Sequence, residues 1–275
     1  MQANTHILVI RLSAMGDVAM TIPVIRALIE QHPEIKITFL SKAFLKPLFD
    51  GIPNVTFYAA DVTKKHKGVL GLYQLYKELK KLKITHIADV HNVLRSKILR
   101  SYFKFSSKHI GVIDKGRSEK KALTRTTDKI FKQLKTSHER YAAVFRKLGF
   151  SVDISKPTRL EKSKLQNSII NLVGEKKNHW IGIAPFAAYD AKMYPLDLME
   201  KVIDELSTKN TLLLFGGGKS EIETLSKIEK KFSNCISVAG KLNLSEELNA
   251  IAHLDCMLAM DSGNAHFSAM LQIPT

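Results

Sequence analysis

Four short stretches of this 275-residue chain hold residues that could bind an anion or move a proton. The first is Ser13-Ala14-Met15-Gly16-Asp17, between an apolar run and a helical pattern. Its glycine permits close backbone approach. Asp17 either caps a helix, a contribution of about 0.5–2 kcal/mol, or takes a proton from a reacting hydroxyl. The stretch has neither G-x-G-x-x-G nor the lysine of a P-loop, which argues against a dinucleotide or NTPase site. The second stretch is Asp261-Ser262-Gly263-Asn264-Ala265-His266. Backbone amides at a helix start suit a pyrophosphate, Ser262 can donate a hydroxyl, Gly263 allows close approach, and His266 projects from the first turn. Simple capping by Asp261 or Ser262 would explain the same residues. The third is Lys192 in AYDAKMYP, which either reaches a phosphate or is merely solvated. The fourth is FGGGKSEIE (215–223), whose three glycines mark a loop that something approaches closely. There Glu221 or Glu223 either accepts from ribose hydroxyls or is a plain helix-start carboxylate.

These stretches need a scaffold that brings turns to one edge. Apolar, β-rich runs predict strands at 6–12, 35–40, 54–58, 84–90 and 109–113, and helical spacing predicts helices at 18–32, 43–50, 68–82, 93–103 and 138–148. Within 68–82, Leu72, Leu75, Tyr76, Leu79 and Leu82 form one stripe. The 138–148 helix stops at Gly149. Polar DISKPTRLEKS (153–163), with Pro157, breaks the rhythm and reads as a linker. A helix at 163–174 opens a second alternation, with strands at 180–185, 211–216, 235–240 and 255–260 and helices at 196–208, 219–232, 245–253 and 264–271. Such alternation implies parallel sheets with helices on both faces. Ligands of these sheets sit beyond the carboxyl ends of the strands, where all four stretches fall. The expected architecture is α/β, with two Rossmann-like, doubly wound domains at 1–158 and 159–275. The chain closes on LQIPT, where a helix would introduce a further strand. The second domain is therefore expected to be incomplete at its C-terminus, and this chain by itself to be a poor enzyme.

The formal net charge is +16, and residues 61–140 alone hold 21 of the 42 basic residues against 7 of the 26 acidic ones. That bias is either a solvated lysine-rich surface or a patch for nucleic acid, anionic lipid or a phosphorylated substrate. No apolar run reaches the roughly 18–20 residues of a membrane helix. The opening apolar run is broken by Arg11 and Asp17 and lacks a basic leader, unlike a signal peptide. Cys235 and Cys256 lie in or beside strand-like runs as small hydrophobes, which favours a reducing compartment. No Cys/His cluster has zinc spacing, so no metal is expected.

In order along the chain, the pieces resemble the ADP-heptose:lipopolysaccharide heptosyltransferases, inverting glycosyltransferases of the GT-B type. VIRLSAMGDVAMTIPVIRAL is similar to the family's opening, with Thr21-Ile22-Pro23 as its Thr-x-Pro-like element. ADVHNVLRSKIL (88–99) resembles the mid-domain Asp-x-x-x-x-x-Arg-Ser segment, and HERYAAVFRKLGF (138–150) the closing helix of that domain. IGIAPFAAYDAKMYP, LLLFGGGKSEIE and VAGKLNLSEELNAIAHLDCMLAMDSGNAHFSAML resemble the donor-binding blocks. The resemblance implies two domains facing across a cleft. It makes Asp17 the general base and places Ser13, Gly16 and Arg95 on the acceptor side. Lys192 then contacts the donor phosphates, Glu221 (with Glu223 as the alternative register) binds ribose, and Gly240 to Leu242 border the adenine. Asp261, Ser262, Gly263 and His266 grip the pyrophosphate and sugar. Ala187 and Ala188 stand where hydroxyl residues are frequent, implying a weaker or differently built phosphate cradle, and Ser262 stands where threonine is common.

The resemblance further implies heptose transfer from an ADP-sugar to an acidic lipopolysaccharide-core acceptor. It implies no cofactor or metal, a cytoplasmic location, and peripheral contact with the inner face of the cytoplasmic membrane. A GT-B transferase using another nucleotide sugar for capsule or O-antigen fits the same motifs. A non-catalytic basic module for anionic lipid or nucleic acid would fit the charge. Pairing of Asp17 with Lys192 and the 261–266 turn argues against the silent module, and the lack of aromatic–basic interleaving argues against nucleic acid.

Overall fold

The computed structural model describes residues 5–104, 109–156 and 162–275. Contacts divide the chain into two compact units, Met1–Ala14 with Met20–Thr158, and Met15–Ala19 with Arg159–Thr275. Residues 157–161 of the expected linker, and the 158/159 boundary within it, lie outside the described residues.

The first unit is a five-stranded parallel sheet of β1 (His6–Ile10), β2 (Lys36–Ser41), β3 (Val55–Ala59), β4 (His86–Asp89) and β5 (His109–Val112), ordered β3-β2-β1-β4-β5. Ile7, Leu8, Val9 and Ile10 are all fully buried, as expected for a central strand covered on both faces. The sequence suggests one helix over 18–32, but there are two, α1 (Met15–Ala19) and α2 (Ile22–Gln31). Pro23 lies in the first turn of α2, where its missing N–H is harmless; inside a continuous helix it would break a hydrogen bond. α3 (Gly68–Lys80) buries Leu72, Leu75 and Leu79, with Tyr76 and Leu82 packed beside them, so the stripe read from the sequence is the packed face. α4 (Leu94–Phe103) follows β4. The sequence offers no signal for α5 (Arg117–Thr124), which has no buried residue and hence no apolar stripe. α6 (Ser137–Lys147) is capped by Thr136, whose hydroxyl accepts from the Glu139 amide at 3.2 Å. Its end is closed by Gly149 at φ +94°, with the Phe150 amide donating to the Phe145 carbonyl at 3.1 Å.

The second unit opens with α7 (Asn167–Val173) and forms a four-stranded parallel sheet in the order β8-β7-β6-β9. Along the chain run β6 (Trp180–Ala184), α8 (Leu196–Ser207), β7 (Thr211–Leu214), α9 (Lys219–Lys231), β8 (Cys235–Ser237), α10 (Leu244–Ala252), β9 (Cys256–Ala259) and α11 (Gly263–Met270). Ile183, Ile203, Leu212, Leu214 and Leu225 form its core. α10 starts with a reciprocal capping box: Asn243 Oδ1 accepts from the Glu246 amide at 3.1 Å, and Glu246 Oε2 accepts from the Asn243 amide at 2.9 Å. Beyond α11 the Met257 amide donates to the Pro274 carbonyl at 2.8 Å, so the residues after this helix lie beside β9.

One buried charge organises the turn after β4. Asp89 is 0% exposed; its Oδ1 accepts from the His91 and Asn92 amides at 3.0 and 2.7 Å, and its Oδ2 from Arg100 Nη1 at 2.7 Å. Arg100 keeps 22% exposure, so removing Asp89 mainly leaves the His91 and Asn92 amides without their acceptor. Asp89→Ala is therefore expected to lower unfolding free energy by about 1–3 kcal/mol, whereas exposed Arg95 should change it by less than about 0.5 kcal/mol when replaced by alanine. Denaturant titration of both variants checks this.

Candidate functional site

In an open parallel sheet the loops diverge where the strand order reverses, and ligands bind there, beyond the carboxyl ends. The second sheet reverses between β6 and β9. The loop after β6 carries Lys192 in a short 3-10 turn (Asp190–Lys192), and the loop after β9 carries Asp261 and Ser262 into α11. The fold thus brings together two motifs 69 positions apart: Lys192 Nζ lies 2.5 Å from Asp261 Oδ2. His266 Nε2 stands 3.9 Å from the other oxygen, Oδ1.

Lys192 is paired rather than merely solvated. Its hydrogen bond with Asp261 and the charge of that carboxylate raise its pKa, while the same hydrogen bond and the lysine charge, with a smaller contribution from His266, hold Asp261 below the ordinary carboxylate range. The sign follows for each partner. Asp261 loses its charge only in acid, as pH falls through its lowered pKa, and Lys192 only in base, as pH rises through its raised one. The pair is therefore intact across the neutral range.

Ser262 occupies the N-cap position of α11 at φ −135° and ψ 178°, yet its side chain caps no amide. Its Oγ is buried and makes no hydrogen bond to the described residues. The capping explanation fails at this residue; its hydroxyl is left unpartnered beside the amides that open α11.

The third loop follows β7. Glu221, in the first turn of α9, accepts from the Gly217 amide through Oε2 at 2.7 Å and so ties down the glycine run. Glu223 is exposed. Gly240, at φ +71°, and the half-buried Leu242 follow β8 on the same edge. Ala187 and Ala188 lie in the loop between β6 and Lys192.

α1, which carries Gly16 and Asp17, is counted with this second unit. Asp17 is half-buried within the first turn of the helix, inside it rather than at its cap position. Gly16 is buried against His266: a Cβ there would come within 2.3 Å of the imidazole Cδ2. Reciprocally, a Cβ on Gly263 would meet the end of Met15 at 2.6 Å. Two glycines of separate motifs thus permit one close helix contact.

In the first unit the order reverses between β1 and β4. Ser13, just after β1, lies there with its Oγ 3.4 Å from His91 Nε2, and the Leu12 amide donates to His91 Nδ1 at 3.4 Å. His91 is buried; the sequence signals it only as an unassigned position of the 88–99 segment, directly behind a strand. Arg95 is exposed in the first turn of α4. Among the described residues no group of three or more His, Cys, Asp or Glu is arranged to hold a metal ion, and no helix is long and apolar enough to cross a membrane.

The model of glycosyltransferase family 9 (heptosyltransferase) matches residues 72–275. The lipopolysaccharide core heptosyltransferase OpsX of Haemophilus influenzae is 24% identical over 280 residues, covering 99% of this chain and 78% of that protein. The crystal structure of a glycosyl transferase family 9 protein from Veillonella parvula superimposes with a TM-score of 0.79 at 18% identity, covering 99% of this chain and 80% of the other. Escherichia coli heptosyltransferase WaaC, solved with ADP-2-deoxy-2-fluoro heptose, does so with a TM-score of 0.72 at 17% identity, covering 98% and 87%. At these identities the structural likenesses establish the α/β fold with its two Rossmann-like sheets.

The glycine contacts differ in what they press on. Gly16→Ala must push aside a ring, so we expect it to cost about 1–3 kcal/mol and to shift the His266 imidazole resonances. Gly263→Ala presses only on the flexible end of Met15 and should cost less than about 1.5 kcal/mol. Denaturant unfolding and NMR of the two variants check the contrast.

Proposed function

The chain belongs to glycosyltransferase family 9, the heptosyltransferases, and on that premise we propose that it moves a heptose from an ADP-sugar to an acidic lipopolysaccharide-core acceptor at the inner face of the cytoplasmic membrane. Its family makes it a glycosyltransferase of lipopolysaccharide heptose transfer; the donor, acceptor and location are our reading. The observation that carries it is the junction of Lys192, Asp261 and Ser262 at the strand-order reversal of the second sheet. The complex of WaaC with an ADP-heptose analogue supports the choice of donor.

In this reading the ADP pyrophosphate lies at the opening amides of α11, with the Ser262 hydroxyl as donor and Lys192 as fixed cation. Asp261 holds the lysine in place and accepts from hydroxyls of the sugar. Glu221 uses one carboxylate oxygen on Gly217, leaving the other to face ribose. Gly240 and Leu242 border the adenine. Asp17 removes the proton from an acceptor hydroxyl as its oxygen attacks the anomeric carbon. The bond from that carbon to the ADP oxygen breaks in the same step, so the configuration inverts. The departing diphosphate gains negative charge where Lys192 and the α11 amides already point. The acceptor side comprises Ser13, Gly16 and Arg95, with the lysine-rich first unit drawing in an anionic glycolipid.

Asp17→Asn keeps the shape of the side chain but not its basicity. We expect transfer from ADP-heptose to fall by roughly 10²–10⁴-fold, with ADP affinity in calorimetry unchanged. Near-normal turnover would reduce Asp17 to a structural role and end this mechanism.

Lys192→Ala and Ser262→Ala should each weaken ADP binding, the lysine by roughly tenfold to a hundredfold because a charge-assisted contact is lost. ADP affinity unchanged in both variants would place the donor elsewhere.

A further inference from the structure

Residues 117–135 form a projection of the first unit that its own packing does not explain. α5 buries nothing, and a helix this short draws most of its stability from a packed face. Behind it the chain turns back, with the Ile130 amide donating to the Ala122 carbonyl at 3.0 Å and the Arg125 guanidinium donating to the Asp128 carbonyl. The turn presents Ile130 at 54% and Phe131 at 83% exposure. The same nineteen residues, 117–135, carry seven lysines and arginines against only Glu119 and Asp128, and those of them that the structure places on α5 and the turn are exposed. Glu119 is already engaged by Arg140, 2.7 Å away.

We propose that this projection docks the protein on an anionic phospholipid surface, with Ile130 and Phe131 entering the headgroup boundary and the surrounding cations facing the lipid phosphates. Charge complementarity selects this occupant. A water-exposed phenylalanine is unfavourable alone, and burying so many neighbouring cations against an apolar protein patch would cost their desolvation. At a bilayer both features work together: apolar side chains bury at the interface, and each nearby lysine or arginine is attracted by the negative surface potential. The inference rests on the membrane-glycolipid reading of the acceptor, but docking can be measured with neither donor nor acceptor present.

The test is co-sedimentation of the full chain with vesicles of mixed phosphatidylcholine and phosphatidylglycerol, compared with phosphatidylcholine alone. The wild type should bind only the mixed vesicles, and less as salt is raised. Ile130→Ser with Phe131→Ser should weaken that binding about tenfold or more, as should Lys120→Glu with Lys121→Glu, with thermal unfolding unchanged because α5 buries nothing. In Phe131→Trp, fluorescence should shift to the blue on mixed vesicles. Equal binding by the serine pair, failure of the wild type to bind, or an equal loss in Leu70→Ser, at a separate exposed apolar position on α3, would overturn the proposal. So would a wild-type oligomer that the serine pair dissolves while vesicle binding is absent. Transfer to a soluble, deacylated acceptor reports separately on the proposed activity, which can stand or fall without the docking.

Discussion

Everything functional in the second unit depends on how a parallel sheet must be connected. Successive parallel strands need right-handed crossovers, so an order that runs one way from β6 to β7 and β8 and the other way to β9 sends the flanking helices to opposite faces. The loops after β6 and β9 then cannot cover one another. They leave the carboxyl ends open where backbone amides point outward and no side chain of the core intrudes. Lys192 and Asp261 meet over that gap because their strands are hydrogen-bonded neighbours, Ile183 beside Leu258 and Ala184 beside Ala259. The first sheet repeats the reversal between β1 and β4, and there Ser13 meets His91.

The ion pair shapes the chemistry as well as the geometry. An isolated lysine on a surface loop samples many rotamers, and ordering it costs side-chain entropy at the moment of binding. Asp261 meets that cost beforehand and keeps Lys192 cationic. The carboxylate also sets a limit: being anionic itself, it would repel a diphosphate placed directly against it. A diphosphate is therefore best accommodated toward the Ser262 hydroxyl and the α11 amides, with neutral hydroxyls on the Asp261 side. On the proposed reading, this one ion pair distinguishes the phosphate end of the sugar nucleotide from its sugar end.

Much of this was legible before the structure, for identifiable reasons. The apolar stripe of α3, which Leu82 continues just past the helix end, and the glycine stop after α6 are local patterns, and a local pattern survives in the sequence. The strand order is not local, so the sequence placed Lys192 and the 261–266 turn on one edge without pairing them. Three misses have distinct causes. α5 buries no residue fully, and its only apolar residues, Ala122 and Leu123, are too few to trace a stripe. The apolar spacing runs on through Pro23, but a proline is tolerated only in a first turn, and the break at Met20–Thr21 puts it there. His91 lies in the 88–99 segment without a role of its own there; its position is set by Asp89, whose buried carboxylate accepts from the His91 and Asn92 amides. The competing explanations of Asp17 and Ser262 as caps were sound on residue type alone. Asp17 departs from that explanation because α1 begins two residues earlier, at Met15, a boundary that sequence places poorly; Ser262 does hold the N-cap position, but its hydroxyl caps no amide.

The uneven charge now has a physical counterpart in the range over which each kind of contact acts. Nearly all the net charge lies in residues 61–140, within the first unit, while the site of the second unit is built around one close ion pair, Lys192 with Asp261. A close ion pair acts over a few ångströms, inside the roughly 8–10 Å over which salt screens charge, and suits a small ligand that must be held in one orientation. A broad excess of lysine and arginine fixes no orientation. It raises the local concentration of any anionic partner and speeds encounter, which suits a large, multiply charged surface whose details vary. On the proposed reading these are the two substrates of one reaction. The sugar nucleotide diffuses freely and must be recognised atom by atom. The glycolipid is confined to a charged plane, so the protein must first find that plane, and a diffuse positive field is the means that tolerates imprecision.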